Sequence, residues 1–174
     1  MRIVFDFDPV KCSACGACAI ACMDQNDIDL SAGMQPFRRV YLKESATDRL
    51  YLSISCMHCP DAPCAAACRL GCIRHDEATG LTLADTTKCV GCRMCAKACP
   101  YDAITFRPTG EARPKARMEK CHGCLERIQA GLDPACVQSC PTGALRWHWS
   151  EDDCEEYAVV SLCKQWNIPD SSNS

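Results

Sequence analysis

The chain has 174 residues, of which 19 are cysteine, about 11% of the sequence. Leu, Ile, Val and Phe together number 30, about 17% of the chain, which is below the roughly 20% that an ordinary apolar core requires. Because the formal net charge is only −3, the composition excludes both a fold held by aliphatic packing alone and a highly charged disordered chain.

The N-terminus and the hydropathy of the chain predict where it is found. The first residues lack a basic stretch followed by an apolar one, and they lack a twin-arginine pair, so they do not have the pattern of an export signal. No stretch approaches about 18 consecutive apolar residues, which predicts a soluble cytoplasmic protein without direct membrane insertion. In a reducing cytosol, an odd number of cysteines is more typical of metal ligation than of a disulfide framework.

The first cysteine motif follows a predicted strand at residues 2–7. This motif has the spacing C-x2-C-x2-C-x3-C and consists of Cys12, Cys15, Cys18 and Cys22. Residues 37–42 and 50–54 then flank a polar stretch and predict a hairpin. We interpret the hairpin as surface cover over a cofactor, with a docking role as the alternative.

The second and third cysteine motifs lie on either side of another predicted strand, residues 80–85. The second motif has its second gap widened to four residues and consists of Cys56, Cys59, Cys64 and Cys68. The third motif matches the bacterial ferredoxin run C-x2-C-x2-C-x3-C-P in full and consists of Cys89, Cys92, Cys95 and Cys99. Pro100 follows it and is expected to end a short helix there.

The fourth cysteine motif follows a basic segment, residues 107–120. We interpret this segment as a solvated loop that can face an acidic partner, and not as a nucleic-acid site, because it lacks interleaved aromatic residues. The motif has eleven residues in its second gap and consists of Cys121, Cys124, Cys136 and Cys140, followed by Pro141. A predicted strand at 144–147 completes a repeated unit of strand, cysteine loop, short helix, turn and strand.

The spacing within the motifs indicates which metal group they bind. Three thiolates on a tight loop can each reach a different iron of one cubane, and the fourth cysteine lies one helical turn further on. In two-cluster ferredoxins that fourth cysteine binds the other cluster, so such motifs work in pairs. Four motifs therefore predict two pairs and four 4Fe-4S clusters. The alternative, tetrahedral zinc, is disfavoured because the first and third motifs each place three cysteines within seven residues.

Several other residues are predicted to have supporting roles. Cys72 is interpreted as a small buried residue, and Cys154 and Cys163 are expected not to be ligands. His58 and His122 lie inside cysteine loops, where a ring N–H can donate to a cluster sulfide or the ring can simply fill the loop. Basic residues beside the motifs are expected to offset the negative charge of the clusters and raise their potentials; these residues are Lys11, Lys88, Arg93, Lys97, Lys120 and Arg127.

The C-terminal segment predicts a short helix. Ser150 is followed by three acidic residues, as is typical of an N-cap and first turn, and the helix is expected to run to about Trp166. Its apolar residues fall at i, i+3, i+4 and i+7 and form a stripe of Val159, Leu162, Cys163 and Trp166. This stripe is expected to pack on the chain's own body, or alternatively on a catalytic subunit or a second copy of the chain.

The order of the four motifs, their two unusual gaps and the sequence from Gly131 to Leu145 resemble one known family. It is that of the four-cluster iron-sulfur subunits of dimethyl sulfoxide reductase, formate dehydrogenase and tungsten aldehyde oxidoreductase systems. The resemblance implies an α+β fold of two nested ferredoxin-like halves related by pseudo-twofold symmetry. Motifs one and four would form one half and motifs two and three the other, within residues 1–149, and a C-terminal helix and tail would occupy 150–174.

In this pairing, the fourth cysteine of each motif binds the cluster held by the other three cysteines of its partner motif, which implies four ligand sets. Set one is Cys12, Cys15, Cys18 and Cys140. Set two is Cys22, Cys121, Cys124 and Cys136. Set three is Cys56, Cys59, Cys64 and Cys99. Set four is Cys68, Cys89, Cys92 and Cys95.

Complete thiolate sets leave no iron open to a substrate, so the implied function is outer-sphere electron transfer and the chain is not expected to be an enzyme itself. The resemblance implies a catalytic partner, a molybdenum or tungsten pterin subunit, with a ferredoxin, a flavin subunit or further copies of the chain as other redox partners. Two alternatives stay open: an independent polyferredoxin shuttle, and a filament-forming wire subunit that serves a hydrogenase or carbon monoxide dehydrogenase.

Overall fold

A computed structural model describes residues 1–44, 46 and 49–151 of the chain. This part is a small α+β structure built from short helices and two-stranded antiparallel sheets. The strands are β1 (Arg2–Phe7), β2 (Arg39–Glu44), β3 (Arg49–Ile54), β4 (Ile73–Asp76), β5 (Leu81–Ala84), β6 (Ile104–Pro108), β7 (Ala116–Lys120) and β8 (Leu145–Ser150). The helices are α1 (Ala17–Gln25), α2 (Pro63–Ala66), α3 (Met94–Ala98), α4 (Leu125–Gln129) and α5 (Ala135–Gln138).

The sheets pair strands that are close in sequence, with one exception. β2 pairs with β3, β4 with β5, and β6 with β7, whereas β1 pairs with β8 from the other end of the described chain. In that last pair, Phe7 lies opposite Leu145 and Arg2 lies opposite Ser150. The predicted strands at 2–7, 80–85 and 144–147 and the predicted hairpin are thereby confirmed.

The basic segment at 107–120 differs from the solvated loop that we expected. Its two ends belong to the antiparallel hairpin β6–β7, and only the residues between the strands form a loop. Met118 is almost completely buried, and the side chain of Lys120 is buried as well. The charge of the segment favoured a loop, but Arg117 and Glu119 alternate with the buried Met118 and Lys120 along β7, which is the period of a half-buried strand.

The helices pack in two pairs that bring distant cysteine motifs together. α1, from the first motif, packs against α5 of the fourth, and α2 of the second motif packs against α3 of the third. α3 ends at Ala98, two residues before Pro100, which was predicted to end it, and α5 ends at Gln138, three residues before Pro141.

Cysteine side chains form a large part of the buried interior. The largest cluster of buried residues in the described chain contains few aliphatic side chains, and half of its ten fully buried members are cysteines: Cys64, Cys72, Cys89, Cys95 and Cys99. A second cluster packs Cys18 and Cys136 against Leu52, Ile54 and Leu145. The burial of Cys72 confirms its interpretation as a small buried residue.

Two features of the C-terminal prediction lie outside the described residues. These are the helix expected beyond Ser150 and the cysteines Cys154 and Cys163, so both stay predictions, as does the division of the chain at residue 149. Among the helices that are described, none has the length and apolar character needed to cross a lipid bilayer.

Candidate metal centres

The thiols of sets one and four lie near one another in the folded chain. In the group that corresponds to set one, the thiol of Cys12 interacts electrostatically with those of Cys15, Cys18 and Cys140. In the group that corresponds to set four, the thiol of Cys95 interacts with those of Cys68, Cys89 and Cys92. Each group joins three cysteines of one motif to the fourth cysteine of another.

In sets two and three, the fourth cysteine of one motif likewise lies near three cysteines of another. The thiol of Cys22 interacts with those of Cys124 and Cys136, and Cys121 interacts in turn with Cys22. The thiol of Cys59 interacts with those of Cys56, Cys64 and Cys99. Each cysteine of the four motifs therefore lies near members of its predicted set, although Cys121 also interacts with Cys56 of set three, and Cys72, which is in no set, interacts with Cys68 and Cys89 of set four.

Two of these groups surround cavities. One cavity is lined by all four cysteines of set one, together with Ser53 and other residues. A second cavity is lined by all four cysteines of set two, together with Arg38 and His122. In the part of the chain that the structure describes, no group of His, Cys, Asp or Glu side chains converges on the position of a single metal ion.

The backbone turns around the first cysteine of every motif in the same way. The backbone N–H two residues after that cysteine donates to its sulfur at 3.4 Å, and the donor residue has a left-handed backbone. The donors are Ala14 (φ 54°), His58 (φ 50°), Gly91 (φ 69°) and Gly123 (φ 71°). Because a hydrogen bond to a thiolate favours its charged form, these amides stabilise the state that binds iron.

The fourth cysteines of the motifs receive a second kind of hydrogen bond. The backbone N–H of Cys72 donates to Cys68 Sγ at 3.3 Å, and that of Ala103 donates to Cys99 Sγ at 3.4 Å. α1 continues past Cys22, and there the side-chain amide of Asn26 replaces the backbone N–H as the donor. Its Nδ2 lies 3.7 Å from the Cys22 sulfur and 2.7 Å from the Cys22 carbonyl oxygen.

Burial raises the pKa of eight of the sixteen motif thiols, whereas hydrogen bonds lower the pKa values of Cys68 and Cys140. Loss of solvation raises the pKa of Cys22 to about 12 and the pKa values of Cys59 and Cys95 to about 11. Neighbouring thiolates add to the effect. Such groups lose their protons when a bound cation supplies positive charge, and thiolates are the preferred ligands of iron-sulfur clusters. The donor sets therefore fit 4Fe-4S clusters.

His58 combines a satisfied and an unsatisfied ring nitrogen. It is 3% exposed, and its Nδ1 accepts the backbone N–H of Thr82 at 3.1 Å. Its buried Nε2 has no hydrogen-bond partner among the described residues. A neutral imidazole that accepts at Nδ1 carries its proton on Nε2, so His58 has a buried donor that is free among the described residues. His122 differs, because its Nε2 lies 2.9 Å from Asn26 Oδ1.

Among the described residues, two cations are buried near the thiols, and only one of them was predicted. Lys120 donates through Nζ to the carbonyl oxygens of Thr82 and Cys121. Arg38, which is 4% exposed, and its serine neighbours in and just after β3 were missed. The sequence carried no signal for Arg38, because an arginine at the start of a surface hairpin is ordinarily solvated.

The four sets also differ in how far their cysteines are exposed to solvent. Among the sixteen motif cysteines, only Cys15 of set one and Cys92 of set four are exposed. Large apolar side chains in or next to the motifs are also exposed: Val10 just before the first motif and Ile20 within it, Leu70 just after the second, and Val90 and Met94 within the third.

Comparison with known proteins gives matches over most of the chain. Residues 47–149 match the model of the 4Fe-4S dicluster domain family. The B subunit of anaerobic dimethyl sulfoxide reductase from Haemophilus influenzae is 37% identical, over 81% of this chain and 71% of that protein. The thiosulfate reductase electron transfer subunit PhsB of Salmonella typhi is 36% identical (80% and 72%). The formate dehydrogenase iron-sulfur subunit of Wolinella succinogenes is 35% identical (83% and 80%).

Proposed function

Because this chain belongs to the 4Fe-4S dicluster domain family, we propose that it relays electrons between a pterin-containing catalytic subunit and a second redox partner. Its relatives include iron-sulfur subunits of dimethyl sulfoxide reductase, thiosulfate reductase and formate dehydrogenase. The chain carries 4Fe-4S clusters and is the electron-transfer component of an oxidoreductase, whose catalytic activity resides in a separate subunit. When bound, such clusters accept and release single electrons without any change in their ligands.

The crossed grouping of the sixteen thiols is the observation that carries this proposal. It supports sets one to four as the ligands of four clusters, since each group joins three cysteines of one motif to one cysteine of another. The raised pKa values and the backbone N–H groups aimed at the sulfurs support the same assignment.

The nested arrangement of two ferredoxin-like halves is part of the proposal. The packing of α1 against α5 supports the pairing of motifs one and four, and the packing of α2 against α3 supports the pairing of motifs two and three. The pairing of β1 with β8 supports it further, because these strands flank motifs one and four.

The sets follow one another in a row whose two ends are open to solvent. Cys18 of set one and Cys136 of set two share one buried cluster, and Cys121 of set two interacts with Cys56 of set three. Sets three and four share the largest buried cluster. With Cys15 exposed at one end and Cys92 at the other, the row suits a relay with one partner at each end.

The catalytic partner is proposed to contain a molybdenum or tungsten pterin, by analogy with the reductases and dehydrogenase named above. A ferredoxin, a flavin subunit or a further copy of the chain is proposed as the partner at the other end. The exposed apolar side chains beside Cys15 and Cys92 suit such contacts, because apolar area in the centre of an interface excludes water from it.

Two measurements on the anaerobically purified, untagged chain test this function. We expect about sixteen irons per chain, the content of four cubanes, and co-elution with a large pterin-containing subunit. About eight irons would contradict the four ligand sets. Elution of the holo chain alone would favour the independent shuttle, and elution as very large particles would favour the filament-forming wire.

Cys68 and Cys72 provide a matched pair for the ligand assignment. Both are partly or fully buried and lie four residues apart, but only Cys68 belongs to a ligand set. Cys72→Ala is expected to keep about sixteen irons, whereas Cys68→Ala is expected to lose iron from one cluster. Iron loss in Cys72→Ala with full iron in Cys68→Ala would reverse the assignment.

A further inference from the structure

Arg38 is a buried cation that no predicted role accounts for. It directly precedes β2, and it and Lys120 are the cationic side chains buried in the described part of the chain. Whereas Lys120 lies beside the fourth motif in the sequence, Arg38 lies sixteen residues beyond the last cysteine of the first motif and eighteen before the second.

The hydrogen-bond partners of Arg38 are neutral. Its Nη1 donates to Ser53 Oγ at 3.1 Å and to the Ser53 carbonyl oxygen at 3.3 Å, and its Nη2 donates to Ser55 Oγ at 2.8 Å. No carboxylate of the described residues forms a salt bridge with it. A buried cation without negative charge nearby is strongly unfavourable, so its compensating charge must come from another source.

In the iron-loaded chain, the cluster thiolates would supply that charge. The sulfurs of Cys136, Cys121, Cys18 and Cys22 interact electrostatically with the Arg38 guanidinium. Cys18 belongs to set one, and the other three belong to set two. The cation therefore interacts with both sets at once.

Two contacts connect Arg38 to these sets. Ser53 Oγ, which accepts from the guanidinium, lies 3.3 Å from Cys18 Sγ, and Ser53 lines the cavity of set one. Arg38 itself lines the cavity of set two, and its backbone N–H interacts with the Cys22 sulfur. The guanidinium, held by the two serines, is thus connected to set one through Ser53 and borders the cavity of set two. It also borders a cavity that Cys56 of set three lines.

We propose that Arg38 is the shared counter-charge of sets one and two, a positioning residue for electron transfer that raises the reduction potentials of both clusters. The inference rests on the proposed function. Adding an electron makes a cluster more negative, so a fixed cation stabilises its reduced form more than its oxidised form. In a water-poor interior this interaction is weakly screened, and no other cation of the described chain shares it with both sets through such contacts.

The first experiment removes the charge from the iron-loaded chain. Arg38→Gln keeps a side chain that can hydrogen bond to the two serines, and we expect two of the four midpoint potentials in an EPR-monitored redox titration to shift downward, with the other two unchanged. The matched control is Arg49→Gln on the same hairpin, because Arg49 is exposed and pairs with Glu44. Four unchanged potentials, or four equal shifts, in Arg38→Gln would overturn the proposal.

A second variant keeps the proposal testable if Arg38→Gln fails to incorporate iron. Arg38→Lys retains the charge but loses the planar fork that reaches both serines. If the charge is what matters, this variant loads iron like the wild type and keeps all four potentials. Loss of iron in Arg38→Lys, equal to that in Arg38→Gln, would show a purely packing role and overturn the proposal. The iron content of the wild type, measured first, tests the proposed function separately.

Discussion

At the scale of single residues, His58 has two features: its backbone forms part of a cysteine turn, and its ring carries a buried hydrogen-bond donor. Its left-handed backbone forms the turn around Cys56, while its ring stacks on Phe5 with the centroids 6.1 Å apart. The hydrogen bond from Thr82 fixes the ring orientation and leaves the buried Nε2–H unpaired among the described residues. A buried donor without a partner is costly, so we expect a cluster sulfide near His58 to accept from it.

We predict that His58→Asn lowers the midpoint potential of one cluster by about 59 mV or less, the equivalent of a tenfold change for one electron. Asn tolerates the left-handed backbone, and its Oδ1 can still accept from Thr82, so the variant removes the Nε2 donor together with the ring that stacks on Phe5. His58→Gln places an amide donor near the Nε2 position and is expected to keep the potential closer to that of the wild type. Redox titration of both variants checks this, and equal potentials in His58→Asn and wild type would refute the donor role.

At the scale of structural elements, the cysteine loops share one backbone conformation but have different neighbours. Ala14 takes the same left-handed position in the first loop as Gly91 does in the third, so this loop conformation accepts a Cβ. A Cβ on Gly91, however, would overlap the carbonyl oxygen of Ala116 at the start of β7. Gly91 is therefore required by the approach of a strand and not by the turn itself.

This difference predicts the outcome of a matched pair of substitutions. Gly16→Ala and Gly91→Ala each place alanine in the left-handed region, at a cost of about 1–2 kcal/mol, but Gly16 has nothing within 4 Å of the added Cβ. Gly91→Ala carries a further cost of about 1–3 kcal/mol from overpacking against the backbone. We expect its clusters to bleach at a temperature several degrees lower than those of Gly16→Ala, at about 2–4 °C per kcal/mol. Thermal loss of visible absorbance measures this, and coincident curves would contradict it.

Side chains also tie separate elements together. Arg39 at the start of β2 forms a salt bridge with Asp102 at 2.9 Å and donates to the carbonyl oxygens of Tyr101 and Asp102, just after the third motif. Arg107 in β6 donates to the carbonyl oxygens of Asn26 and Asp27 at the end of α1. The hairpins β2–β3 and β6–β7 therefore each fasten one cysteine motif to a segment far away in the sequence.

At the scale of the whole molecule, the interior is too poor in aliphatic side chains to hold the fold alone. The buried clusters of the described chain are small, and cysteines occupy many of their positions. In the proposed ligand sets, loss of the metal would remove the ligation between motifs one and four and between motifs two and three. In such proteins the free energy of metal binding is also free energy of folding.

We therefore predict that removal of iron unfolds the chain. Chelation under reducing conditions is expected to abolish the cooperative thermal transition and most of the near-ultraviolet circular dichroism, and reconstitution with iron and sulfide is expected to restore them. The untreated holo protein, heated in parallel, is the control. An iron-free chain that kept a cooperative transition would show that the small apolar clusters suffice.

Local patterns in the sequence were enough to establish the chemistry of the protein. The spacing of cysteines such as Cys89, Cys92 and Cys95 is local, and local spacing decides whether thiolates can surround one cubane. The same holds for strands such as β1 and β5 and for the helix end before Pro100, because they depend on short-range patterns and on the missing N–H of proline. The ligand sets needed the family resemblance as well, because nothing local indicates which motif supplies the fourth cysteine, and they stay predictions.

The surroundings of the thiols, in contrast, became visible only in the folded chain. Arg38, Ser53 and Asn26 approach the thiols without any period or motif in the sequence that marks such contacts. The basic segment that became β7 was misjudged for a related reason, because the burial of Met118 and Lys120 depends on packing against distant elements. Ligand chemistry is encoded in local spacing, whereas burial and charge compensation arise from contacts between residues that only folding brings together.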